Sequence, residues 1–293
     1  MLSDIPDVAA AASRIAPYAR RTPVLRAEVD GRPLVLKLEH LQRGGSFKLR
    51  GAVNALTSGP RPEQVVTASG GNHGIAVATA AAALVLPATV YVPVTAPEGK
   101  TRLIEAAGAR LVRHGATYAE AAVAALARAE APGVRYVPAY DDPAVVAGQG
   151  TVTAEAVADA PEVDAVVLAT GGGGLAAGAV LGAEGRTVVV VEPEGCCCVH
   201  RALEAGRPVD SPVDSVAASA LGATRVGAVP FGVLAASDVV SVLVTDAELL
   251  AARDRLWEEF RLAVEPAAAV PFAAWLAGRV PGERACLVLC GAN

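Results

Sequence analysis

The chain has no basic excess: 25 lysines and arginines stand against 30 acids, a net charge of −5 over 293 residues, so the electrostatic footprint of a nucleic-acid binder is missing. Its apolar stretches are broken by Gly, Pro or charge before they reach the ~20 residues that cross a bilayer, which excludes a membrane span. The opening residues 1–7 hold no basic region followed by an apolar core, so no secretory leader is expected and the cytoplasm is the default location. The five cysteines form no CxxC pair, so no structural zinc site is expected. Cys196, Cys197 and Cys198 are adjacent, and neighbours rarely reach disulfide geometry. They read as small apolar residues at a helix start, with an exposed thiol as the other reading. No internal repeat of solenoid period and no low-complexity tail is visible. What is present is a composition 53% hydrophobic and 19% charged, enough to bury a large core in one or two domains.

Apolar strand candidates fall at 34–39, 64–67, 88–93, 109–112, 134–138, 164–169, 187–192, 238–244 and 285–290. Helical stretches at 97–107, 117–130, 143–159, 246–261 and 265–278 lie between them. This alternation predicts an α/β protein with mainly parallel sheets. In such sheets ligands sit beyond the carboxyl ends of the strands. Ser69, Gly171, Glu192 and Cys290 fall at such ends, and Lys48 lies just past one. Residues 208–231 are the least regular, as befits a surface or active-site loop.

Three stretches carry chemistry. In residues 44–52, GGSFKLRGA, a glycine and serine turn after a strand opens a helix on Lys48. A helix N-terminus disfavours an ammonium, and a lysine kept partly neutral can attack a carbonyl to form a Schiff base. A surface lysine after a turn is the plain alternative. Residues 69–74, SGGNHG, follow a short strand and precede an alanine-rich helix. Gly171, Gly172, Gly173 and Gly174 follow another strand and lead into Leu175-Ala-Ala-Gly178. Four successive glycines cost chain entropy, and the physical reason to keep them is an anion held by bare N–H groups at a helix start. A flexible linker is the other reading, and the apolar helix-forming flanks weigh against it.

Together with Glu265-Pro266, the terminal CGAN (290–293), VPVTAP (92–97), YDDP (140–143) and GQGT (148–151), these motifs run in order from about Arg21 to the last residue. In this the chain resembles the fold-type II pyridoxal-phosphate enzymes, the tryptophan synthase β-like fold. Within them it is most similar to the serine/threonine dehydratases (ammonia-lyases), relatives of serine racemase. The resemblance implies two three-layer α/β domains, a large one from 1–62 and 139–293 and a small one inserted at 63–138, with pyridoxal 5'-phosphate in the cleft. It also implies a small amino-acid substrate and a homodimer. An extra C-terminal regulatory domain, as in allosteric dehydratases, is not expected.

Residue by residue, the resemblance makes Lys48 the lysine that carries the cofactor and then takes the Cα proton. Phe47 packs on one cofactor face, Gly171 to Gly174 cradle its phosphate, and Asn72 bonds its phenolic oxygen. Ser69, Gly70, Gly71, Asn72 and His73 form the loop for the substrate carboxylate, with His73 positional rather than a base. Cys290 stands beside the pyridine nitrogen; a buried core cysteine is its other reading. Ser219 matches a loop serine near the substrate side chain and is a catalytic candidate with Lys48 and Ser69. Glu265 is either an acid of the cofactor pocket or an N-cap carboxylate. Serine racemases carry a serine where this chain has Gly70, so elimination is expected over racemisation. Leu49-Arg50 departs from the Asp-Arg that follows the lysine in β-replacement synthases. Of the divalent-cation ligands of the racemases, Glu192 and the Cys196 carbonyl are matched. The remaining acidic position is Cys198, so no metal is expected. The expected reaction is loss of water from L-threonine or L-serine to give a 2-oxo acid and ammonia. Racemase, β-replacement synthase and a catalytically silent cofactor carrier are the alternatives.

Overall fold

A computed structural model describes residues 7–96 and 98–293. The predicted helix start at Pro97 and residues 1–6 of the predicted leaderless N-terminus lie outside them. The first half of the chain forms α1 (Val8–Ile15), β1 (Val24–Val29), β2 (Arg32–Lys37), α2 (Lys48–Thr57), β3 (Gln64–Ala68), α3 (Asn72–Ala83), β4 (Ala88–Val92), α4 (Glu98–Ala106), β5 (Arg110–Arg113), α5 (Tyr118–Ala129) and β6 (Val134–Tyr136). The second half forms α6 (Pro143–Asp159), β7 (Ala165–Ala169), α7 (Gly174–Gly182), β8 (Thr187–Pro193), α8 (Cys198–Ala205), α9 (Ala218–Leu221), α10 (Ala228–Leu234), β9 (Val240–Val244), α11 (Asp246–Phe260), α12 (Pro266–Leu276) and β10 (Ala285–Val288).

The strands build two sheets, one in the order β1-β2-β10-β7-β8-β9 and one in the order β5-β4-β3-β6. Every pairing is parallel except β1 with β2. Parallel strands covered on both faces must be apolar throughout, and β7 (AVVLA) is buried at every position. The antiparallel pair turns through Asp30 (φ 52°) and Gly31 (φ 72°), the Asp-Gly signature of a tight hairpin. Strand β1 is absent from the sequence expectation because Arg26 and Glu28 interrupt its apolar run, as they can in an edge strand that is mostly unburied. The irregular 208–231 segment contains the short α9 and the start of α10.

Two apolar cores accompany the two sheets. The first unites β2, β7, β8 and β10 with α7 and α12, and the second unites β3 and β4 with α3 and with Leu49, Val53 and Leu56 of α2. Helix α6 reaches both: Ala144 and Val145 lie in the second core and Val146, Val152 and Ala156 in the first. Asp142 caps α6 by accepting from the N–H groups of Ala144 and Val145, and Pro143 occupies its first turn, where a missing N–H is harmless.

Bare backbone sets the spacing of α6 from its neighbours. A Cβ on Gly148 would come within 2.7 Å of the Arg50 carbonyl of α2, and one on Gly150 within 2.7 Å of the Gly178 carbonyl of α7. Both contacts lie far inside normal carbon to oxygen approach, so the three helices touch main chain to main chain.

Candidate active site

Lys48 is the first residue of α2, as its motif predicts, and its Nζ donates to the Ala139 carbonyl at 2.8 Å. The helix is not joined directly to β2; two 3-10 turns, Glu39–Leu41 and Arg43–Gly45, intervene. Loop and last strand are stitched together by a bridge between Ser46 and Gly291 and by the Phe47 N–H bonded to the Cys290 carbonyl at 3.1 Å. The Phe47 ring centroid lies 5.1 Å from Lys48 Nζ. Burial pushes the Lys48 ammonium down to about 8, against the opposing pull of Cys290 and Glu265. Desolvation is thus the main cause of the weakened charge, where the motif reading invoked the helix dipole.

The second motif opens α3. Ser69 Oγ accepts the Gly71 N–H at 3.2 Å and the Ser69 N–H bonds the Tyr91 carbonyl at 3.1 Å, which fixes the loop at the end of β3. Asn72 and His73 begin the helix. Asn72 Nδ2 donates to Glu265 Oε1 at 2.7 Å, and Asn72 Oδ1 accepts from Asn293 Nδ2 at 3.2 Å. His73 Nε2 lies 2.9 Å from the Val137 carbonyl, so the ring donates there. Burial, then the neighbouring Lys48 charge, drives its pKa down to about 3. The neutral imidazole is thus tied to the backbone carbonyl of Val137. A Cβ on Gly70 would make ordinary contacts, 3.7 Å to Ala96 Cβ and 3.8 Å to Val92 Cγ1.

The glycine run ends β7 and starts α7. Gly173 has φ +92°, a conformation L side chains avoid, and a Cβ on Gly172 would overlap the Tyr140 ring. Gly227 N–H donates to the Gly172 carbonyl at 3.1 Å, and the Cys198 thiol donates to the Gly171 carbonyl at 3.3 Å. Two carbonyls of the run are thus held by protein donors. Tyr140, quoted within its motif but given no role there, is the ring that packs against this loop.

Glu265 and Cys290 complete the centre. Glu265 is buried at the N-cap position of α12, but its side chain makes no cap bond and instead accepts from Asn72. Burial raises its pKa. Cys290 is also buried, and burial with the nearby Glu265 carboxylate pushes its thiol well above the usual range, so it is a neutral SH group. Ser219 lies in α9 with an exposed side chain, and its backbone carbonyl is 3.4 Å from a Cβ built on Gly71. The α9 backbone, rather than the Ser219 hydroxyl, therefore abuts the 69–73 loop. Buried oxygens with no protein partner remain around the centre: Ser46 Oγ, Thr170 Oγ1 and Glu265 Oε2.

Beneath Lys48 lies a cluster that motif reading did not foresee. Arg50, fully buried, donates from Nε to Glu39 Oε1 at 2.6 Å and from Nη1 and Nη2 to the Glu155 carboxylate at 2.8 Å each. Lys37 Nζ, also fully buried, bonds the Thr22 carbonyl at 2.7 Å and Glu155 Oε2 at 3.0 Å. Only the alternation of charged and apolar residues in RPLVLKLEH hinted that some charge turns inward.

Elsewhere, Glu192 is buried at the end of β8 and accepts the N–H groups of Val199 at 3.0 Å and His200 at 2.7 Å. It caps α8, and burial raises its pKa to about 8. Cys196, Cys197 and Cys198 are all buried, in accord with the apolar reading.

A desolvated lysine at the start of α2, the glycine-rich loop that opens α3 and the glycine run that opens α7, carried by two mainly parallel sheets, make up the arrangement of the fold-type II pyridoxal-phosphate enzymes. Residues 15–291 match the family model "Pyridoxal-phosphate dependent enzyme", and the chain belongs to that family. It is 36% identical, over 96% of its length and 73% of the relative's, to an L-threonine ammonia-lyase of Geobacter sulfurreducens. It is 32% identical, over 99% of its length and 93% of the relative's, to a serine racemase of Arabidopsis thaliana. A crystal structure of a threonine deaminase from T.th. superposes with a TM-score of 0.91 at 35% identity, covering 98% of each chain.

The cofactor of the family is pyridoxal phosphate. The residues here fit it: an amine of lowered pKa, a cradle that a Cβ would fill at Gly172, and orphaned buried oxygens near Ser46, Thr170 and Glu265.

Proposed function

We propose that this chain eliminates water from a β-hydroxy amino acid, L-threonine or L-serine, and releases a 2-oxo acid and ammonia. The observation that carries this reading is the Lys48 amine, its charged form weakened by burial and set at the start of α2 between the Ser69 to His73 loop and the Gly171 to Gly174 cradle. Lys48 would hold the cofactor covalently, Phe47 would face its ring, the glycine N–H groups would take its phosphate, and Asn72 and Cys290 would meet its ring oxygen and nitrogen. When bound, the cofactor supplies an electron sink for the charge left at Cα. A neutral thiol at Cys290 holds no full positive charge opposite it, which favours prompt loss of a β-leaving group.

The substrate carboxylate is taken by the loop N–H groups and the Ser69 hydroxyl. Lys48 Nζ removes the Cα proton, the Cβ–O bond breaks, and the hydroxyl leaves as water. The freed enamine tautomerises and hydrolyses, consuming one water and releasing ammonia. At position 70 there is no hydroxyl to return a proton to the opposite face, and the β-carbon space meets only Ala96 and Val92. Racemisation is therefore the minor outcome.

Segment 63–138 is proposed to close as a unit over the substrate and exclude water from the enamine. The chain is further proposed to act in the cytoplasm as a homodimer, which sedimentation of the purified protein would check. Among the described residues no helix is long and apolar enough to cross a membrane.

The test is 2-oxo acid release by the cofactor-loaded protein from L-serine, L-threonine and their D-forms. Release from an L-form that disappears in Lys48→Ala supports the reading. Cofactor absorbance with no oxo acid from any substrate overturns it.

A further inference from the structure

If the chain eliminates water as proposed above, its choice of substrate depends on what the site recognises beyond Cβ. A cavity of about 290 Å³ opens beside the lysine, lined by Tyr118, Tyr136, Ala139, Tyr140, Asp141 and Arg225 among others. It adjoins the reacting centre on two sides. Ala139 carries the carbonyl that holds Lys48 Nζ at 2.8 Å, and Tyr140 packs against Gly172 of the cradle. Its walls come from different parts of the chain: Tyr118 opens α5 and Tyr136 closes β6, whereas Arg225 belongs to the segment whose Gly227 N–H bonds the Gly172 carbonyl.

The lining is rich in donors. Tyr136 and Tyr140 are pushed up by burial, Tyr140 to about 12, so both stay protonated at any working pH. The Tyr140 hydroxyl donates to the Arg225 carbonyl at 3.4 Å, a long bond that a better acceptor would displace. Two carboxylates lie near Arg225. Asp141 Oδ1 accepts the Val229 N–H at 2.8 Å, and Asp210 meets Arg225 Nε at 2.9 Å with its own side chain 81% exposed. A contact in open water of that kind is weak and exchangeable. A volume of about 290 Å³ is far more than a hydroxymethyl or methyl group fills.

We infer that Arg225 with Tyr118, Tyr136 and Tyr140 forms a specificity subsite for a second carboxylate carried on Cβ, so that the preferred substrate class is the β-hydroxy dicarboxylic amino acids. A carboxylate turns the phenols and the guanidinium into charge-assisted donors, whereas a methyl group leaves them to water. The chemistry is unchanged: water leaves across Cα and Cβ, returns at hydrolysis, and a 2-oxo dicarboxylic acid and ammonia depart.

The experiment measures kcat/KM of the cofactor-loaded enzyme for L-threo-3-hydroxyaspartate, L-serine and L-threonine, in the native protein, Arg225→Ala and Tyr118→Phe. Binding of L-aspartate, which has the second carboxylate and no leaving group, is read by the change in cofactor absorbance. The native enzyme is expected to favour the dicarboxylate over serine and threonine by about 10-fold or more. Arg225→Ala is expected to lower the ratio of dicarboxylate to serine kcat/KM, and L-aspartate affinity, by about 30-fold, and Tyr118→Phe by about 5-fold. Arg225 is half exposed at its side chain, so its loss is compatible with folding, and Tyr118→Phe keeps the ring. If serine or threonine yields oxo acid while the dicarboxylate is the poorer substrate, or the ratio is unmoved in both variants, the subsite is refuted and the elimination reading stands. If no hydroxy amino acid yields oxo acid, both fall.

Discussion

Replacing Arg50 by Met tests whether the buried charge cluster under Lys48 holds the site. The native guanidinium spends its donors on the Glu39 and Glu155 carboxylates, the Thr151 hydroxyl and the Arg20 carbonyl. After the change, Glu155 keeps Lys37 at 3.0 Å, whereas Glu39, fully buried, keeps only neutral donors from Thr22 at 2.6 Å and Gln42 at 3.3 Å. One carboxylate is then buried without a cation, a loss of about 3–5 kcal/mol, or a melting midpoint lower by about 6–20 °C. Calorimetric melting at pH 7.5 measures it. Glu39→Gln combined with Arg50→Met removes the stranded charge and should recover part of the loss. The sign with pH follows from Glu155, whose pKa is held down by Arg50 and Lys37 against its burial. Its stabilisation is present above the ordinary carboxylate pKa and is lost as pH falls through the lowered one, so the gap between native and variant narrows in acid. A loss under about 1 kcal/mol, or a double variant no better than the single one, would refute the account.

Other outcomes follow from the same geometry. Only the free amine of Lys48 attacks the cofactor aldehyde, so the rate of reconstituting the apoenzyme should rise with pH and level off near pH 8; a rise continuing toward pH 10.5 would contradict the burial effect. Gly172→Ala drives a Cβ into the Tyr140 ring, and equilibrium dialysis should find cofactor affinity lower by about 10- to 100-fold, an overpacking cost of about 1–3 kcal/mol. Gly70→Ser, whose Cβ has room beside Ala96 and Val92, should shift melting by less than about 0.5 kcal/mol while chiral chromatography detects D-serine formed from L-serine. Rapid D-serine formation by the native enzyme would sink the single-base mechanism.

Much of this molecule is legible in its residues because parallel strands and glycine-rich turns leave strong signatures. Valine runs mark β7 and β8, and the helix expected at 143–159 matches Pro143–Asp159 because Asp142, Pro143 and the apolar run all agree. Gly70 to Asn72 and Gly171 each follow the carboxyl end of a strand, β3 and β7, and Lys48 comes two short turns after β2. What could not be read are features that arise only from tertiary neighbours. Strand β1 earns its place by pairing, the Arg50 cluster by burial of residues that look like surface charge, and Tyr140 by lying against glycines thirty-odd residues further along the chain. For Lys48, the position was legible and the main cause of its weakened charge was not, since desolvation depends on the whole surrounding fold.

The main-chain contacts of α6 give the enzyme a kind of internal gauge. Lys48 begins the helix on one side of α6 and Gly174 begins the helix on the other, so the distance from amine to cradle is set by two backbone contacts at Gly148 and Gly150. A single added methyl group there would lengthen that distance without touching any ligand. Among randomly mutated copies selected for turnover, these interior positions should be as immovable as the lysine itself.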